Sequence, residues 1–342
     1  MKRFDKIDPF TGSGGLALSK KAKVAAFNRE APFNSLPLLP PVHVELETKA
    51  VLKQAIAAGR ALAELKGAGN LVPNQAVLVR TVGLQEAKLS SEIENIVTTN
   101  DELYRALADE GSRTDPATKE VLRYNDALWH GYSRLKEGRP LSTRLFEEMV
   151  QIIKQNSAGI RRTTGTRITK GGRTIYTPPE GESILRDKLA NLEKFLYAED
   201  GLDPLVKLAV LHYQFEAIHP FADGNGRTGR ILNILYLVEA GLLEIPVLYL
   251  SRYIIENKNA YYEGLRRITE ENAWEEWTLF MLRAVETTAL TTCQRIQAIR
   301  ALMQQTSQAV KDKLPKIYSK DLIEVLFSQP YCRIHFLEEA QI

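Results

Sequence analysis

The stretch Pro204–Glu239, PLVKLAVLHYQFEAIHPFADGNGRTGRILNILYLVE, consists of two apolar segments joined by a polar, glycine-rich loop. Asp203 followed by proline is typical of a helix start, because the carboxylate caps free N–H groups and proline fits the first helical position. Leu205–Ala217 is apolar on nearly every side, which predicts a buried central helix. The second apolar segment predicts another helix to about Glu239, with Gly241 as its stop.

The loop His219–Arg230 carries residue types that suit a nucleotide polyphosphate. Gly224 and Gly226 allow the backbone to approach a ligand closely and to adopt unusual φ angles. The next helix begins here, so its free N–H groups and its dipole favour a bound phosphate. Arg227 and Arg230 are three residues apart on that helix, and both can reach such an anion.

Asp223 and His219 add a carboxylate and a proton acceptor to the same loop. A carboxylate is a hard oxygen ligand for Mg²⁺, and an imidazole can take a proton near neutral pH. Taken singly, a histidine at a helix end is usually structural, and an aspartate before glycine usually forms a turn. Two arginines at a helix start, however, oppose the helix dipole unless an anion is bound. The combination therefore predicts a phosphate site.

Patterns elsewhere in the chain are mostly helical. A helix begins near residue 46 and is predicted to stop at Gly67-Ala68-Gly69. The stretch Gly83–Val97 predicts a helix with one apolar face, formed by Leu89, Ile93, Ile96 and Val97. Helical patterns continue over 101–155 and again after the glycine-rich loop to about Gln308. The last segment, Tyr318 to Ile342, begins a new helical pattern.

The one convincing strand pattern is TRITKGGRTIYT, at Thr166–Thr177. Two β-prone runs flank Lys170-Gly171-Gly172-Arg173, and the glycine pair supplies the positive φ angles of a tight hairpin turn. Near the N-terminus, APFNSLPLLPP at 31–41 is predicted to be extended because of its prolines, and its leucines predict an arm packed on the core. The fold class is therefore mainly α with one hairpin.

Length and composition narrow the classes of function. The 342 residues carry a net charge of +3 without a long basic tract, which argues against nucleic-acid binding on charge alone. Cys293 and Cys332 form neither a disulfide framework nor a metal-spaced pair, and the histidines show no HExxH spacing. GSGG at residues 12–15 lacks the features of a phosphate loop. Neither a membrane span nor a signal peptide is predicted, so we expect a cytoplasmic protein.

The glycine-rich loop resembles a known family motif. His219–Arg230 matches HxFx(D/E)GNGRxxR, the motif of the Fic family, at every fixed position. The hairpin with its Tyr-x-Pro-Pro end, the helical surroundings and the arm FNREAPFNSLPLLPP are similar to features of the same family. The resemblance covers roughly residues 25 to 290.

This resemblance implies a mainly α, Fic-type helical bundle with a β-hairpin flap, an N-terminal helical region and a truncated C-terminal segment similar to the start of a winged helix. The implied divisions are an N-terminal arm and inhibitory helix region at 1–110, a catalytic core at 111–290 and a C-terminal segment at 291–342.

Similarity to Fic enzymes implies transfer of AMP from ATP to a Ser, Thr or Tyr hydroxyl of a target protein. His219 would deprotonate the hydroxyl, and Asp223 would hold Mg²⁺ against the α- and β-phosphates. Arg227 would hold the outer phosphates, and Arg230 the γ-phosphate. The nucleotide-binding residues implied by the motif are Gly224, Asn225, Gly226, Arg227, Thr228, Gly229 and Arg230.

The hairpin would act as the flap that clamps the target as an added strand through main-chain hydrogen bonds. The flap residues implied by the resemblance are Arg167, Ile168, Ile175 and Tyr176. Contacts to the nucleoside are predicted in Ile255–Tyr262, where Glu256 or Asn257 could bond an adenine or ribose edge and Tyr262 could stack on the base. A solvated helix start with buried tyrosines explains that stretch equally well.

Residues Ser90-Ser91-Glu92-Ile93-Glu94-Asn95 fit the family's inhibitory pattern, (S/T)xxxE(G/N). By spacing alone, Ser90 and Glu94 lie on one helix face at the border of the apolar stripe. An exposed helical glutamate is the ordinary explanation of so short a pattern, but here it precedes a complete Fic motif. The resemblance therefore implies an inhibitory motif of Ser90, Glu94 and Asn95, in which Glu94 pairs with Arg230 and displaces the γ-phosphate.

Other functions stay open on the same residues. One is the reverse reaction, in which a de-AMPylating phosphodiesterase uses the inhibitory glutamate to position water. Another is transfer from a different nucleotide or phosphodiester donor, although both arginines suit a triphosphate. A non-enzymatic alternative is a DNA-binding regulator with a nucleotide-sensing core, in which a completed C-terminal domain would contact DNA. A homodimer and self-modification also stay open, and no membrane partner is predicted.

Overall fold

The computed structural model describes residues 27–70, 75–108, 114–328 and 331–342. The GSGG cluster at residues 12–15 lies outside these ranges. The helices are α1 Lys49–Asn70, α2 Gln75–Ile93, α3 Asn100–Ala108, α4 Pro116–Lys136, α5 Thr143–Lys154, α6 Glu182–Leu196, α7 Pro204–Ile218, α8 Asn225–Glu239, α9 Leu250–Glu256, α10 Lys258–Glu271, α11 Trp274–Lys313, α12 Lys320–Ser328 and α13 Ile334–Glu339. Two strands, β1 Ile168–Lys170 and β2 Arg173–Tyr176, form an antiparallel hairpin. The predicted mainly α class is confirmed.

Helix α7 lies at the centre of the core, as its apolar sequence predicts. The side chain of Asp203 accepts a hydrogen bond from Leu205 N at 2.8 Å, and Pro204 takes the first helical position. Helices α6, α8 and α11 pack around α7, and Trp277 of α11 donates its indole N–H to Ala209 O at 2.8 Å. This packing fixes where α7 ends, and therefore where the glycine-rich loop begins.

Helix α1 packs along α11, and its C-terminal end differs from the prediction. The helix continues through Gly67 and Gly69 to Asn70 instead of stopping at the glycines. Glycine inside a helix costs only about 1 kcal/mol relative to alanine. The buried face formed by Leu62, Leu65 and Ala68 extends past Gly67 and offsets that cost.

Helix α2 packs against α4 and α9 and ends earlier than its apolar spacing predicts. It stops at Ile93 because Asn95 adopts a left-handed conformation with φ 64. Ile96 N then donates to Ser91 O at 3.1 Å and Asn95 N to Glu92 O at 3.0 Å, which is the Schellman arrangement that terminates helices. The predicted helix face through Val97 is therefore wrong, and Val97 is 64% exposed.

The hairpin and the proline-rich arm contact each other, because Phe33 N donates to Thr177 O at 3.0 Å and the Phe33 ring meets that of Tyr176. Gly171 and Gly172 have φ angles of 57 and 75, as the predicted tight turn requires. The arm packs on the core as predicted: Leu36 and Leu39 are buried, and Lys188 Nζ donates to Leu36 O at 2.7 Å.

The C-terminal segment is helical. Leu322 and Ile323 of α12 are buried, and α12 contacts both α11 and α2. No helix within the described ranges has the length and apolarity needed to cross a membrane.

Candidate functional site

His219 lies where α7 gives way to the glycine-rich loop. It takes a left-handed conformation with φ 50, and its N–H donates to Phe215 O at 3.0 Å. The buried Nδ1 atom has no hydrogen-bond partner within the described part of the chain. Burial and the nearby charge of Arg161 lower the pKa of His219 to about 4. The imidazole is therefore neutral at physiological pH and can accept a proton.

Asn225 braces the loop from inside. Its side chain is 2% exposed, accepts a hydrogen bond from Phe221 N at 2.8 Å and donates to Phe221 O at 2.7 Å. The amide group is thus committed to the loop and is not turned toward a ligand. In this structure the side-chain amide of Asn225 is bonded to Phe221 and does not face the phosphate site. The backbone N–H groups at the start of α8 stay candidates for phosphate binding.

Asp223 is exposed on the same loop and pairs with Lys154 of α5. Lys154 Nζ is 2.6 Å from Asp223 Oδ2, and Gly224 N donates to Asp223 Oδ1 at 2.6 Å. Burial raises the pKa of Asp223, but Lys154 outweighs it and holds the pKa below its ordinary value. The carboxylate is therefore ionised at neutral pH, and Lys154 is the cation that it binds in this structure.

Arg227 is almost fully buried and is held by Glu120 of α4. Its Nη1 atom donates to Glu120 Oε1 at 2.6 Å, and Lys154 Nζ donates to the same oxygen at 3.2 Å. Lys154 therefore links Glu120 to Asp223, and Arg227 lies within 3.8 Å of Asp223 as well. Two cations and two carboxylates form one network beside the loop.

Arg230, one helical turn further along α8, is held by the end of α2. Its Nε donates to Ser90 Oγ at 2.7 Å, and Nη2 donates to Ser90 O at 2.9 Å and to Glu94 Oε1 at 2.8 Å. Arg230 is 2% exposed, whereas the side chain of Glu94 is 28% exposed. Glu94 lies just beyond the last residue of α2, not on its face, because the helix ends at Ile93.

The glycines of α8 mark where carboxylates approach the helix. A Cβ on Gly226 would overlap Glu94 Oε1 and lie 2.9 Å from Arg230 Nη1. One turn later, a Cβ on Gly229 would lie 2.6 Å from Glu216 Oε1. A side chain at either position would displace the carboxylate that lies there. Gly224 has the positive φ of 83 that the sequence predicts, whereas the prediction is wrong for Gly226, which lies in the first turn of α8 without a positive φ.

Comparison with known proteins agrees with this architecture. Residues 140–237 match the Fic/DOC family, and residues 52–133 match the Fic/DOC family N-terminal region. Together these two matches cover more than half of the chain. The chain belongs to the Fic/DOC family. Residues 302–342 also match the C-terminal domain of SoFic-like protein adenylyltransferases.

Curated relatives of this Fic chain carry the name protein adenylyltransferase. A probable protein adenylyltransferase from Aquifex aeolicus, aq_aa38, is 28% identical over 199 residues, which are 54% of this chain and 55% of the relative. Protein adenylyltransferase fic-1 from Caenorhabditis elegans is 34% identical over 110 residues, or 32% of this chain and 19% of the relative. The match thus spans about half of the first relative and about a fifth of the second.

Solved structures show the Fic fold. A Fic family protein from Desulfovibrio desulfuricans G20 has a TM-score of 0.61 and 23% identity, covering 73% of this chain and 75% of that chain. Fic-1, residues 134–508, from C. elegans has a TM-score of 0.56 and 22% identity, covering 73% and 74%. At these identities the likeness concerns the fold.

The hairpin of the Fic core is anchored at its base. Tyr176 Oη donates to Ala217 O at 2.8 Å, and its ring contacts those of Phe27 and Phe33 in the arm. Tyr176 is therefore turned inward and is not free to clamp a target with its side chain. Arg167 is exposed and pairs with Glu30 at 3.4 Å. Ile168 and Ile175 are half-buried on opposite strands.

The residues predicted to contact a nucleoside lie where α9 meets α10. Glu256 is exposed and pairs with Arg252 at 3.0 Å, and Asn257 donates to Tyr253 O at 2.9 Å. Both polar groups have local partners, which agrees with the alternative of a solvated helix start. Tyr262 is 46% exposed, and its ring meets the buried Tyr261 edge-on.

Several residues around the Fic motif were missed by sequence reasoning. Four lie far from the motif in sequence or have no pattern of their own: Glu120, Lys154, Arg161 and Lys258. Lys258 Nζ donates to Ile93 O at 2.6 Å and so caps the end of α2. Glu216 had a usable signal, because it is the one acidic residue between Leu205 and His219. Burial raises the pKa of Glu216 to about 7, and its Oε1 has no partner among the described residues.

Proposed function

We propose that this protein transfers AMP from ATP to a hydroxyl group of a target protein and is restrained by Glu94. The observation that carries the proposal is the position of Glu94, which contacts Arg230 and lies beside Gly226 in the first turn of α8. A buried guanidinium and a helix N-terminus are both anion-binding features, and here a protein carboxylate binds the guanidinium and lies beside the first turn of the helix. The names of the adenylyltransferase relatives support the same reading.

In the proposed reaction the target hydroxyl attacks the α-phosphorus of ATP. The bond from the hydroxyl oxygen to phosphorus forms as the bond to the bridging oxygen breaks, and pyrophosphate leaves. His219 takes the hydroxyl proton, which its neutral imidazole can do at physiological pH. The N–H groups at the start of α8 stabilise the charge on the α-phosphate, so the residues mainly position and stabilise.

Asp223 is the residue that would hold Mg²⁺. Its donor set fits, because Mg²⁺ is commonly bound through one or two carboxylates with the rest from phosphate and water. Asp223 would be the protein ligand, and phosphate oxygens and water would supply the others. When bound, the metal would neutralise charge on the phosphate oxygens. Lys154 pairs with both Asp223 and Glu120, so it can stay bound to Glu120 when Asp223 binds the metal.

Glu94 restrains the reaction by competing for Arg230. A hydrogen bond between charged groups contributes about 1.5 to 3 kcal/mol. Loss of this pair would free the guanidinium for the γ-phosphate and raise the rate about ten- to a hundredfold. While Glu94 stays in place, ATP can bind with its α-phosphate poorly aligned.

The test is incubation with ATP labelled at the α-phosphate and Mg²⁺, followed by mass spectrometry of the labelled peptides. Glu94→Gly should transfer AMP strongly, Glu94→Gly with His219→Ala should bind ATP yet transfer nothing, and Glu92→Gly should behave as the parent. Labelling that persists without His219 would contradict its role as base. An AMP-modified substrate given to the parent distinguishes the reverse reaction, because release of AMP by the parent but not by Glu94→Gly would favour the phosphodiesterase.

A further inference from the structure

Arg161 is a buried cation without a carboxylate partner. It is 4% exposed, and no acidic side chain in the described parts of the chain lies within ion-pair distance. Its guanidinium instead binds backbone carbonyls: Nε donates to His219 O at 2.8 Å, and Nη2 donates to Pro179 O and, at 3.5 Å, to Ile218 O. Its own amide N donates to Pro220 O at 2.9 Å.

These contacts supply hydrogen-bond donors to the carbonyl groups at the C-terminal end of α7. The last carbonyl groups of a helix have no partner within the helix, and a cation there is also favoured by the dipole. Tyr176 Oη donates a hydrogen bond to Ala217 O, and Arg161 donates to Ile218 O and His219 O. Four consecutive carbonyls, from Ala217 to Pro220, therefore accept hydrogen bonds from Arg161, which precedes the hairpin, and from Tyr176, the last residue of β2.

We propose that Arg161 is a positioning residue that fixes the imidazole of His219 relative to the flap. Arg161 precedes the hairpin and Pro179 follows it, so one guanidinium joins both flanks of the flap to the backbone of His219. This role rests on the proposed function, because the flap presents the hydroxyl and His219 receives its proton. Misplacement of a reacting group by about 1 Å costs roughly a hundredfold in rate.

Arg161 also influences the charge state of His219, which provides a direct readout. Burial is the largest cause of the low pKa of His219, and Arg161 is the next. Glu94 and Asp223 act in the opposite direction, as does the backbone carbonyl of Glu216. Removing the charge of Arg161 should therefore raise the pKa of His219, which reports that the two groups lie close together, whereas a loss of kcat in Arg161→Lys, which keeps the charge, reports positioning.

The experiment compares Arg161→Met and Arg161→Lys with Arg162→Met. Arg162 is the matched control, because its side chain is 79% exposed and pairs with Glu182 away from the loop. The imidazole of His219 is titrated by NMR in otherwise unaltered protein, with its signal assigned by its loss in His219→Asn. AMP transfer is measured with each change placed in the Glu94→Gly background, and circular dichroism verifies folding.

We expect the pKa of His219 to rise in Arg161→Met and to stay near the parent value in Arg161→Lys and Arg162→Met. The kcat should fall about a hundredfold in Arg161→Met, and also substantially in Arg161→Lys, because lysine lacks the forked donors. The KM for ATP should stay within about twofold, since the Arg161 guanidinium is buried and donates to backbone carbonyls.

An unchanged His219 titration in folded Arg161→Met, or an unchanged kcat in folded Arg161→Lys, would overturn the role. If Arg161→Met does not fold, Arg161→Lys decides through its kcat at an unchanged melting temperature. If Glu94→Gly transfers no AMP, the proposed function fails, and the NMR titration still decides whether Arg161 controls His219.

Discussion

The carboxylate of Glu94 lies directly over the backbone of Gly226, so close that a side-chain carbon on residue 226 would overlap Glu94 Oε1. The same carboxylate is 2.8 Å from Arg230 Nη2. Glu94 therefore lies beside the first turn of α8 and against the buried guanidinium. In the proposed reaction the γ-phosphate would need that guanidinium, so Glu94 would compete with this one phosphate group while the rest of ATP could still bind.

Ser90→Ala should relieve part of the proposed inhibition by Glu94. Ser90 Oγ accepts a hydrogen bond from Arg230 Nε, but Ser90 O and Glu94 would still bind Nη2. We expect AMP transfer to rise about three- to tenfold, less than in Glu94→Gly. Ser91→Ala is the matched control, because Ser91 is equally buried and its Oγ has no partner within the described residues. Equal activation by both changes would contradict the role of Ser90.

Gly226→Ala should not activate the protein, although it must move Glu94. The added methyl group would occupy the space above the first turn of α8, where the phosphate is proposed to lie. In the Glu94→Gly background we expect AMP transfer to fall about a hundredfold, comparable to the loss of an oxyanion-hole donor. Gly59→Ala serves as control, because a Cβ there meets no atom within 4 Å. Undiminished transfer in Gly226→Ala would place the phosphate elsewhere.

Glu120→Ala should destabilise the fold. Arg227 has a side chain that is 1% exposed, and Glu120 is its nearest carboxylate. Breaking a buried ion pair strands the remaining charge, and because Glu120 is itself 23% exposed we expect a loss of about 1 to 3 kcal/mol in the free energy of unfolding. Glu137→Ala, which breaks an exposed pair with Arg134, should change it by less than about 0.5 kcal/mol. Urea unfolding measures both, and equal effects would contradict the network.

The stability of the protein should depend on pH through His219. Its pKa is about 4 in the fold, below the ordinary value of 6.5, so between these pH values the unfolded chain binds a proton that the folded chain does not. Stability should therefore fall as the pH drops from 6.5 to 4. From pH 7 to pH 5 the free energy of unfolding should fall by about 1 to 2 kcal/mol more in the parent than in His219→Gln. His212, whose pKa burial lowers to about 3, contributes equally to both proteins. If the free energy of unfolding changed with pH in the same way in the parent and in His219→Gln, the low pKa of His219 would be contradicted.

The elements around the motif were predictable because their signals are local. Asp203 with Pro204, the apolar run of α7 and the glycine pair of the hairpin each specify structure within a few residues. The end of α2 was not predictable from apolar spacing, since Asn95 adopts a left-handed conformation and overrides the continuing pattern of Ile96 and Val97.

The surroundings of the site were harder to predict than the motif. Glu120 and Lys154 reach the loop from α4 and α5, and Arg161 reaches it from the start of the flap. None of the three stands in a pattern with the motif, since packing of distant elements brings them together. The sequence also predicts that Asn225 belongs to the nucleotide site; its side chain holds the loop, and a contact between this residue and the nucleotide stays a prediction.

Competition between Glu94 and the γ-phosphate is tested most directly by nucleotide affinity. Isothermal titration should compare ATP with ADP in the parent and in Glu94→Gly, because the two nucleotides differ by the phosphate that would reach Arg230. We expect the parent to bind both with similar affinity and Glu94→Gly to prefer ATP by about tenfold or more. The same ratio of ATP to ADP affinity in both proteins would contradict the account.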